Sequence, residues 1–572
     1  MKKYLLFLLF ALSNSFFAQK IQYKLQKSEV FRDDFKNTNI VLSEINEKKE
    51  LLLVRSYNGS TMFSQGQGYY IEKYNSKFQL KKAFDFEMKH PNYQKYNLMI
   101  GIFTIENNIH FVEVCYDLNE KSFICFDNIL SEDFKITNKE LFRLPKDNIE
   151  QIGTLNLQSK YYERVKGIWA NNNSGIIKSE NEFVNLNIFK SIFFSNNNIF
   201  NYKKALDIEN KGIGSDIVLY LNETKTAFAI AIDGRSDETD GLKLYLFDNK
   251  LEKKIDVIYE NNMKEKKCFF QNILVSNDGN SIYLIAKGYT TNSMKKEEGG
   301  KYFYDISRIT NENQESQRIE VNEHYIGSLR TYFHDNELIS IGFYSNKDEN
   351  TYEGICFLKI DANTLNLKSS KYNPFTSQFL NDKYGSEKYN ALKTITFKKV
   401  FFNSNNEILI NAEEEYVSES YNNYGFISAS KSAPTKTTSY SFDDIILAKL
   451  NSEGDLLWAR NINKKQSTAQ EDNGFLSYTS ILNNDKNYFF INSKEQVKKL
   501  KNDRIEFRQI RKNKSNLNII QVDTNGDFEY EEILDDEENA VPFMVSKGVT
   551  IDNAVYFLGR RGSDKQLLKV TL

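Results

Sequence analysis

Along most of the chain, apolar and polar residues alternate over short runs and then give way to small clusters of Asn, Asp, Gly and Ser. A period of two is that of a half-buried β-strand, and the polar clusters carry turn chemistry, so the pattern predicts strand after strand with little helix. Phe228-Ala229-Ile230-Ala231-Ile232, Ile282-Tyr283-Leu284-Ile285-Ala286 and Ile408-Leu409-Ile410 are typical runs. Abundant aromatics (43 Phe, 34 Tyr) and only five Pro fit the same reading, because wide rings cover pleated surfaces well.

The runs also repeat. The fullest copy is Asp444-Ile445-Ile446-Leu447-Ala448-Lys449-Leu450-Asn451-Ser452-Glu453-Gly454-Asp455-Leu456-Leu457-Trp458: an apolar strand with a late Lys, a polar turn, and a second strand. Shorter copies place equivalent positions at Lys73, Cys125, Leu246, Arg308, Lys359, Lys449, Gln521 and Lys569. Most intervals fall near the roughly 40 to 50 residues of a four-stranded propeller blade plus insertions, and the long step from Cys125 to Leu246 leaves room for a large insertion or a degenerate blade.

Segment 444–458 resembles the blade hairpin of secreted bacterial β-propeller repeat proteins, in which a Gly turn joins the two outer strands and a Trp closes the second. The resemblance implies an all-β fold: a single β-propeller of about eight four-stranded blades, with seven as the alternative count. A β-sandwich array would also give short strands with turn signals. The last copy ends at Leu572 where its outer strand should begin, while Ile21-Gln22-Tyr23-Lys24-Leu25 is an alternating strand with no partner of its own. The N-terminal strand is therefore expected to complete the last blade, which removes open sheet edges. The propeller is expected to span 19–572, with insertions around 150–212 and 417–442.

The 572 residues are 40% hydrophobic and 27% charged, enough apolar surface for a large core. With 75 Lys+Arg against 77 Asp+Glu, the chain lacks the basic footprint of a nucleic-acid binder. Met1-Lys2-Lys3-Tyr4, the apolar run from Leu5 to Leu12, and Ser13 to Gln19 have the order of an export signal, placed at residues 1–18, with cleavage after Ser15 as the alternative to Ala18. The run is too short for the roughly 20 residues of a membrane span, and no later segment is apolar enough to be one. A periplasmic or extracellular location follows as an expectation.

Candidate chemistry is sparse. Four cysteines cannot staple a chain of this size; Cys115 and Cys125 could sit on neighbouring strands, either bridged or, as expected here, as buried free thiols. His90, His110, His324 and His334 are not paired at metal-ligand spacing, so no histidine-built metal site is expected. Asp523 to Glu529 alternates oxygen side chains as a calcium loop does, but Phe528 and Leu534 stand where an EF-hand needs Gly and Glu, and the segment coincides with a repeat turn. Asp233, Asp237 and Asp240 form a second acidic turn of the same ambiguity. No cofactor is expected, with calcium as the alternative. The basic stretch Lys494 to Lys514 could attract an anionic polysaccharide or a lipid head group, but Ile505 and Phe507 alternating with Arg504, Glu506 and Arg508 read as one strand with a wet face.

Nucleophile elbows, phosphate-binding loops and His-Glu-x-x-His are absent. The hydrophilic insertion 417–442 carries Tyr421, Tyr424, Phe426 and Tyr440, aromatic groups beside small polar ones that suit a glycan or peptide. Tyr161, Tyr162 and Trp169 to Ser174 mark the second such insertion. The expected function is thus an exported binding module with a protein or glycan partner. The alternatives are a propeller-fold carbohydrate hydrolase or lyase using axial carboxylates or Tyr, and a structural envelope component.

Overall fold

The computed structural model describes residues 21–572 except 36–37, 47, 59–66, 146–216, 234–240, 261–267, 290–301, 321–323, 347–351, 388–391, 393–394, 423–434, 470–473, 503 and 510–515. The expected export signal and the insertion around 150–212, with Tyr161, Tyr162 and Trp169, lie outside the described residues. Eight sheets follow one another along the chain, seven of them built on an antiparallel meander of four strands in sequence order and the last on three consecutive strands completed by the N-terminal strand. By first-strand order they are blades 1 to 8, at 38–87, 94–145, 217–260, 268–320, 325–374, 395–468, 478–534 and 549–571. All eight repeat positions picked out in the sequence fall on third strands, from Lys73 in Gln67–Tyr74 to Lys569 in Asp564–Thr571. The repeat was therefore reporting one structural position, the strand that feeds the outer hairpin.

Apolar clusters seal every joint between neighbouring blades. Tyr69 and Phe111 join blades 1 and 2, Phe103 and Phe228 join 2 and 3, and one large cluster runs through 3, 4 and 5. Phe343 and Phe397 join 5 and 6, Ile445 and Phe489 join 6 and 7, Phe490 and Phe557 join 7 and 8, and Leu53 with Leu558 joins 8 back to 1. Each blade has both faces covered, which explains near-continuous apolar stretches such as Ile217–Leu221, where all five residues are buried. First strands touch the first strands of neighbouring blades from blade 8 through 1, 2, 3, 4 and 5, so this edge of each sheet faces the ring centre.

Closure follows the expected route with a shifted register. Lys24–Lys27 pairs antiparallel with the last strand, Lys24 opposite Thr571 and Lys27 opposite Leu568, and Phe31–Arg32 continues along Lys565 and Asp564. Ile21, expected within that strand, instead buries its side chain in the joint between blades 7 and 8. The chain then crosses to blade 1, where Arg55 holds it: one guanidinium donates to both oxygens of Asp33 at 2.6 and 3.2 Å and both oxygens of Glu72 at 2.6 and 2.9 Å.

The ring has two unlike ends. At one end lie the tight turns between first and second and between third and fourth strands. Glu106-Asn107, Asp335-Asn336 and Asn484-Asp485 are two-residue turns with both φ angles positive, the hairpin geometry that short polar residues tolerate. After the third strand, Asn75, Asp248, Asp361, Asn451 and Asp523 each accept backbone N–H bonds from the turn that follows, which is why the repeat ends in Asn or Asp. From the other end leave the second-to-third-strand and blade-to-blade connections, including 146–216, 290–301, 375–394, 423–434, 494–515 and 535–548. All the long insertions thus depart from a single end of the ring.

Cys115 and Cys125 do sit on neighbouring strands, but Cys125 pairs with Val114 and Cys115 with Ile124. Successive side chains point to opposite faces, so the two thiols lie on opposite sides of one sheet and are free and buried. The sequence brings them to adjacent strands; the register rules out the bridge.

Candidate functional site

Blade 6 differs from the others. Its second, third and fourth strands, Ile408–Asn422, Thr435–Leu450 and Leu456–Thr468, run for 15, 16 and 13 residues, and they project past the insertion-bearing end. The segment 417–442, expected as a hydrophilic loop, is therefore mostly strand: Val417 pairs with Tyr440, Tyr421 with Lys436 and Asn422 with Thr435, leaving only 423–434 as the connection. The alternation of Ser and Thr with Tyr and Val in this segment is strand grammar written in polar residues. Tyr440 is half-buried and flanked by Val417 and Thr468, a strand position rather than a loop tip. Tyr421 shares the hairpin four positions along from Val417; Tyr424 and Phe426 lie outside the described residues.

The projection stands on a buried charge network at its base, where the register shifts between Glu413 and Glu415 and between Phe442 and Ile445. Glu413, fully buried, meets Lys398 Nζ at 2.7 Å and Lys464 Nζ at 2.8 Å, and Ser477 Oγ of the approach to blade 7 donates to it at 2.5 Å. Burial alone would raise this carboxyl, but the two ammonium groups more than offset it and pull it down to about 2. On the outer side, the helix Ser377–Tyr384 is capped at its start by Thr376 and at its end by Gly385. It delivers Lys383 to Glu414 and Asp444, both at 2.7 Å, and Asp382 to Arg460 at 2.6 Å. A strand from blade 7's long connection, Ile505–Arg508, pairs parallel with Asn463, Lys464 and Lys465 of blade 6. Phe507 is buried and Arg508 pairs with Glu506, so this part of the basic stretch is a strand with one wet face, as its alternation predicts.

These network residues were not singled out from sequence. Their signal was the consecutive charges Lys398-Lys399, Glu413-Glu414-Glu415 and Asp443-Asp444 inside otherwise apolar strands, since charge is placed there only where it finds a partner.

The axial wall is the second feature. Five first strands carry a register shift, in blades 1, 2, 4, 5 and 6, and such irregularities re-aim side chains. In blade 6 it separates Lys398, which enters the ion network, from Lys399, whose Nζ donates to Thr550 Oγ1 at 3.1 Å. Thr550 is on the first strand of blade 8, so this bond passes blade 7 on the inner side of the ring. Across all eight first strands the only carboxylate is Glu44, and it is ion-paired with Lys225.

At the tight-turn end, blades 1 to 3 enclose a cleft of about 390 Å³ whose lining includes Glu44, Glu50, Lys73, Glu106 and Lys225. Its polar groups are already engaged: Lys73 donates to Glu132 O, Asn249 to Glu106, and Lys81 pairs with Glu50. The Asp523 loop is a hairpin turn: its carboxylate accepts from the N–H groups of Asn525 and Asp527, both at 2.9 Å, and Trp458 Nε1 donates to Thr524 O at 2.9 Å. Asp237 and Asp240 lie outside the described residues. His110 is buried against Asp127 at 2.7 Å and stacked on Phe103; among the described residues no group of three His, Cys, Asp or Glu side chains is placed to hold a metal ion.

No protein-family model and no curated protein sequence matches the chain. Solved structures similar to it include the β-propeller domain of the Trilobed protease from Pyrococcus furiosus, at 9% identity and a TM-score of 0.31, covering 77% of this chain and 98% of that one. Another is Pyrococcus horikoshii acylaminoacyl peptidase, at 8% identity and a TM-score of 0.33, covering 81% of this chain and 49% of that one. A third is Penicillium chrysogenum α-L-arabinanase, at 6% identity and a TM-score of 0.26, covering 64% and 93% respectively. The chain spans about half the length of the peptidases it resembles. These likenesses concern the fold, and the protein is a β-propeller of eight four-stranded blades closed by its two ends.

Proposed function

We propose that this propeller is an exported binding module that engages a protein or glycan partner at its insertion-bearing end, with the blade 6 projection at the centre of the contact. The observation that carries the reading is the asymmetry of the ring: every long connection leaves from one end, and one hairpin there is extended and braced by buried ion pairs. Burying charge to hold a surface hairpin rigid reduces the ordering cost of binding through it. The Lys-Lys start and apolar run of residues 1–18 support export. A glycan hydrolase built on two axial carboxylates finds little support, because the first strands offer only Glu44, already paired with Lys225.

The test replaces 423–434 with a Gly-Ser linker of equal length, leaving the braced strands in place. Intact protein and variant are used to capture ligands from envelope extract and on a glycan array. Loss of a specific ligand in the variant, with unchanged circular dichroism and melting, is expected; equal capture by both would overturn the assignment of this end.

A further inference from the structure

We propose that Lys399 forms an anion site in the central passage, taking a carboxylate group on a small ligand or at the end of a larger one. This does not rest on the insertion-end reading, since it concerns the wall of the ring. Lys398 and Lys399 are consecutive, yet their environments are opposite: Lys398 meets Glu413 and Glu415 at 2.7 and 2.9 Å, whereas Lys399 has one hydroxyl, Thr550 Oγ1, and the ring of Phe401 at 4.8 Å. An ammonium has three donors, and the Thr550 bond uses one. No carboxylate among the described residues lies within ion-pair distance of Lys399, although charged lysines set among packed strands normally find one.

The surroundings reinforce the imbalance. Thr396, Lys399, Phe401, Val549, Thr550 and Ile551 are all half-buried, as expected of a wall lining an open passage rather than a packed joint. With the sole carboxylate of the first strands, Glu44, already paired with Lys225, the Lys399 ammonium leaves this part of the wall positive, and a low-dielectric surround strengthens the potential. Burial pushes the Lys399 amine down to about 8, the direction expected when the charged form lacks a counter-ion. A bound carboxylate supplies that counter-ion and occupies the remaining donors with charge-assisted hydrogen bonds.

The experiment follows the 13Cε resonance of Lys399 in full-length protein labelled at lysine, assigned by its disappearance in Lys399→Arg. Acetate and galacturonate are titrated in, with galactose as the neutral control, at constant ionic strength. The resonance should move saturably with the carboxylates and not with galactose. Its titration midpoint should rise by about one pH unit for each tenfold preference of the anion for the ammonium form. By calorimetry, Lys399→Met should lose galacturonate binding and Lys399→Arg retain it. A resonance unmoved by 50 mM of either carboxylate, an equal response to galactose, or undiminished binding by Lys399→Met would each overturn the site. None of these outcomes depends on whether the 423–434 replacement affects capture.

Discussion

Replacing Arg55 by Met tests how the ring is held shut. Arg55 bridges two carboxylates, Asp33 and Glu72, and the three side chains are 2%, 5% and 9% exposed. Tyr74 and Thr38 donate to the same carboxylates at 2.9 and 3.0 Å, so they remain partly satisfied after the substitution, but their charge does not. Removing one partner of a buried ion pair costs about 3–5 kcal/mol, mainly through the charge left behind, against a total stability of about 5–15 kcal/mol for a typical domain. Because Asp33 belongs to the segment that follows the closing strand, the loss should be concentrated there. Hydrogen exchange at 24–35 should accelerate before exchange in blades 3 to 5, and guanidinium unfolding should begin at lower denaturant. The triple variant Asp33→Asn, Arg55→Met, Glu72→Gln removes all three charges and should recover at least half of the loss. A single substitution costing under about 1 kcal/mol, or a triple variant no better than the single one, would refute the latch.

Three further outcomes follow from the same physics. The Glu413 carboxyl, held down to about 2 from an ordinary value near 4.5, contributes stability that is complete above pH 4.5 and lost as pH falls towards 2, on the order of 3 kcal/mol; melting curves of wild type and Glu413→Gln should differ at pH 7 and converge near pH 2. Gly454 turns with φ +85°, and a Cβ there would stand 2.1 Å from the Phe357 ring of blade 5; Gly454→Ala should cost about 2–4 kcal/mol in denaturant unfolding, while Ser452→Ala beside it should be nearly silent. Cys115 and Cys356 are buried with thiols pushed up to about 12 by desolvation, so native protein should leave them unmodified by a disulfide reagent at pH 8 and release them on unfolding.

The sequence made the ring legible because propeller architecture is local. Each blade is a meander, so periodicity of two and turn residues at the ends of third strands were enough to place all eight repeat positions on equivalent strands. Closure was legible for a related reason: an alternating segment without a neighbour, at Ile21 to Leu25, needed a partner, and the last strand needed one too. What stayed open was register. Whether Cys115 and Cys125 meet depends on a one-residue offset between paired strands, which no composition or spacing encodes. The same holds for the projection of blade 6, where polar alternation at Val417 to Asn422 continues a strand that hydrophilicity alone assigned to a loop. Lys399 was hidden for a different reason, since its environment is set by strands more than 100 residues away in sequence, and nothing in Lys398-Lys399 tells which lysine finds carboxylates.

The two ends of the ring divide stability from variation. At the tight-turn end, caps by Asn or Asp recur in five blades, and inter-blade bonds such as Trp458 to Thr524 and Asn373 to Gly454 tie turns to neighbouring blades. Changes there propagate into two blades at once. At the other end, blade 6 shows one way a connection is anchored: a register shift, a helix bringing Lys383, and half-buried carboxylates that receive it. If the braced hairpin exists to present 423–434, substituting Lys383 by Met should weaken ligand capture through the projection while leaving the melting of blades 1 to 4, followed by hydrogen exchange, unchanged. Equal loss across the whole ring would show instead that the network serves folding alone, and the extended hairpin would then need another explanation.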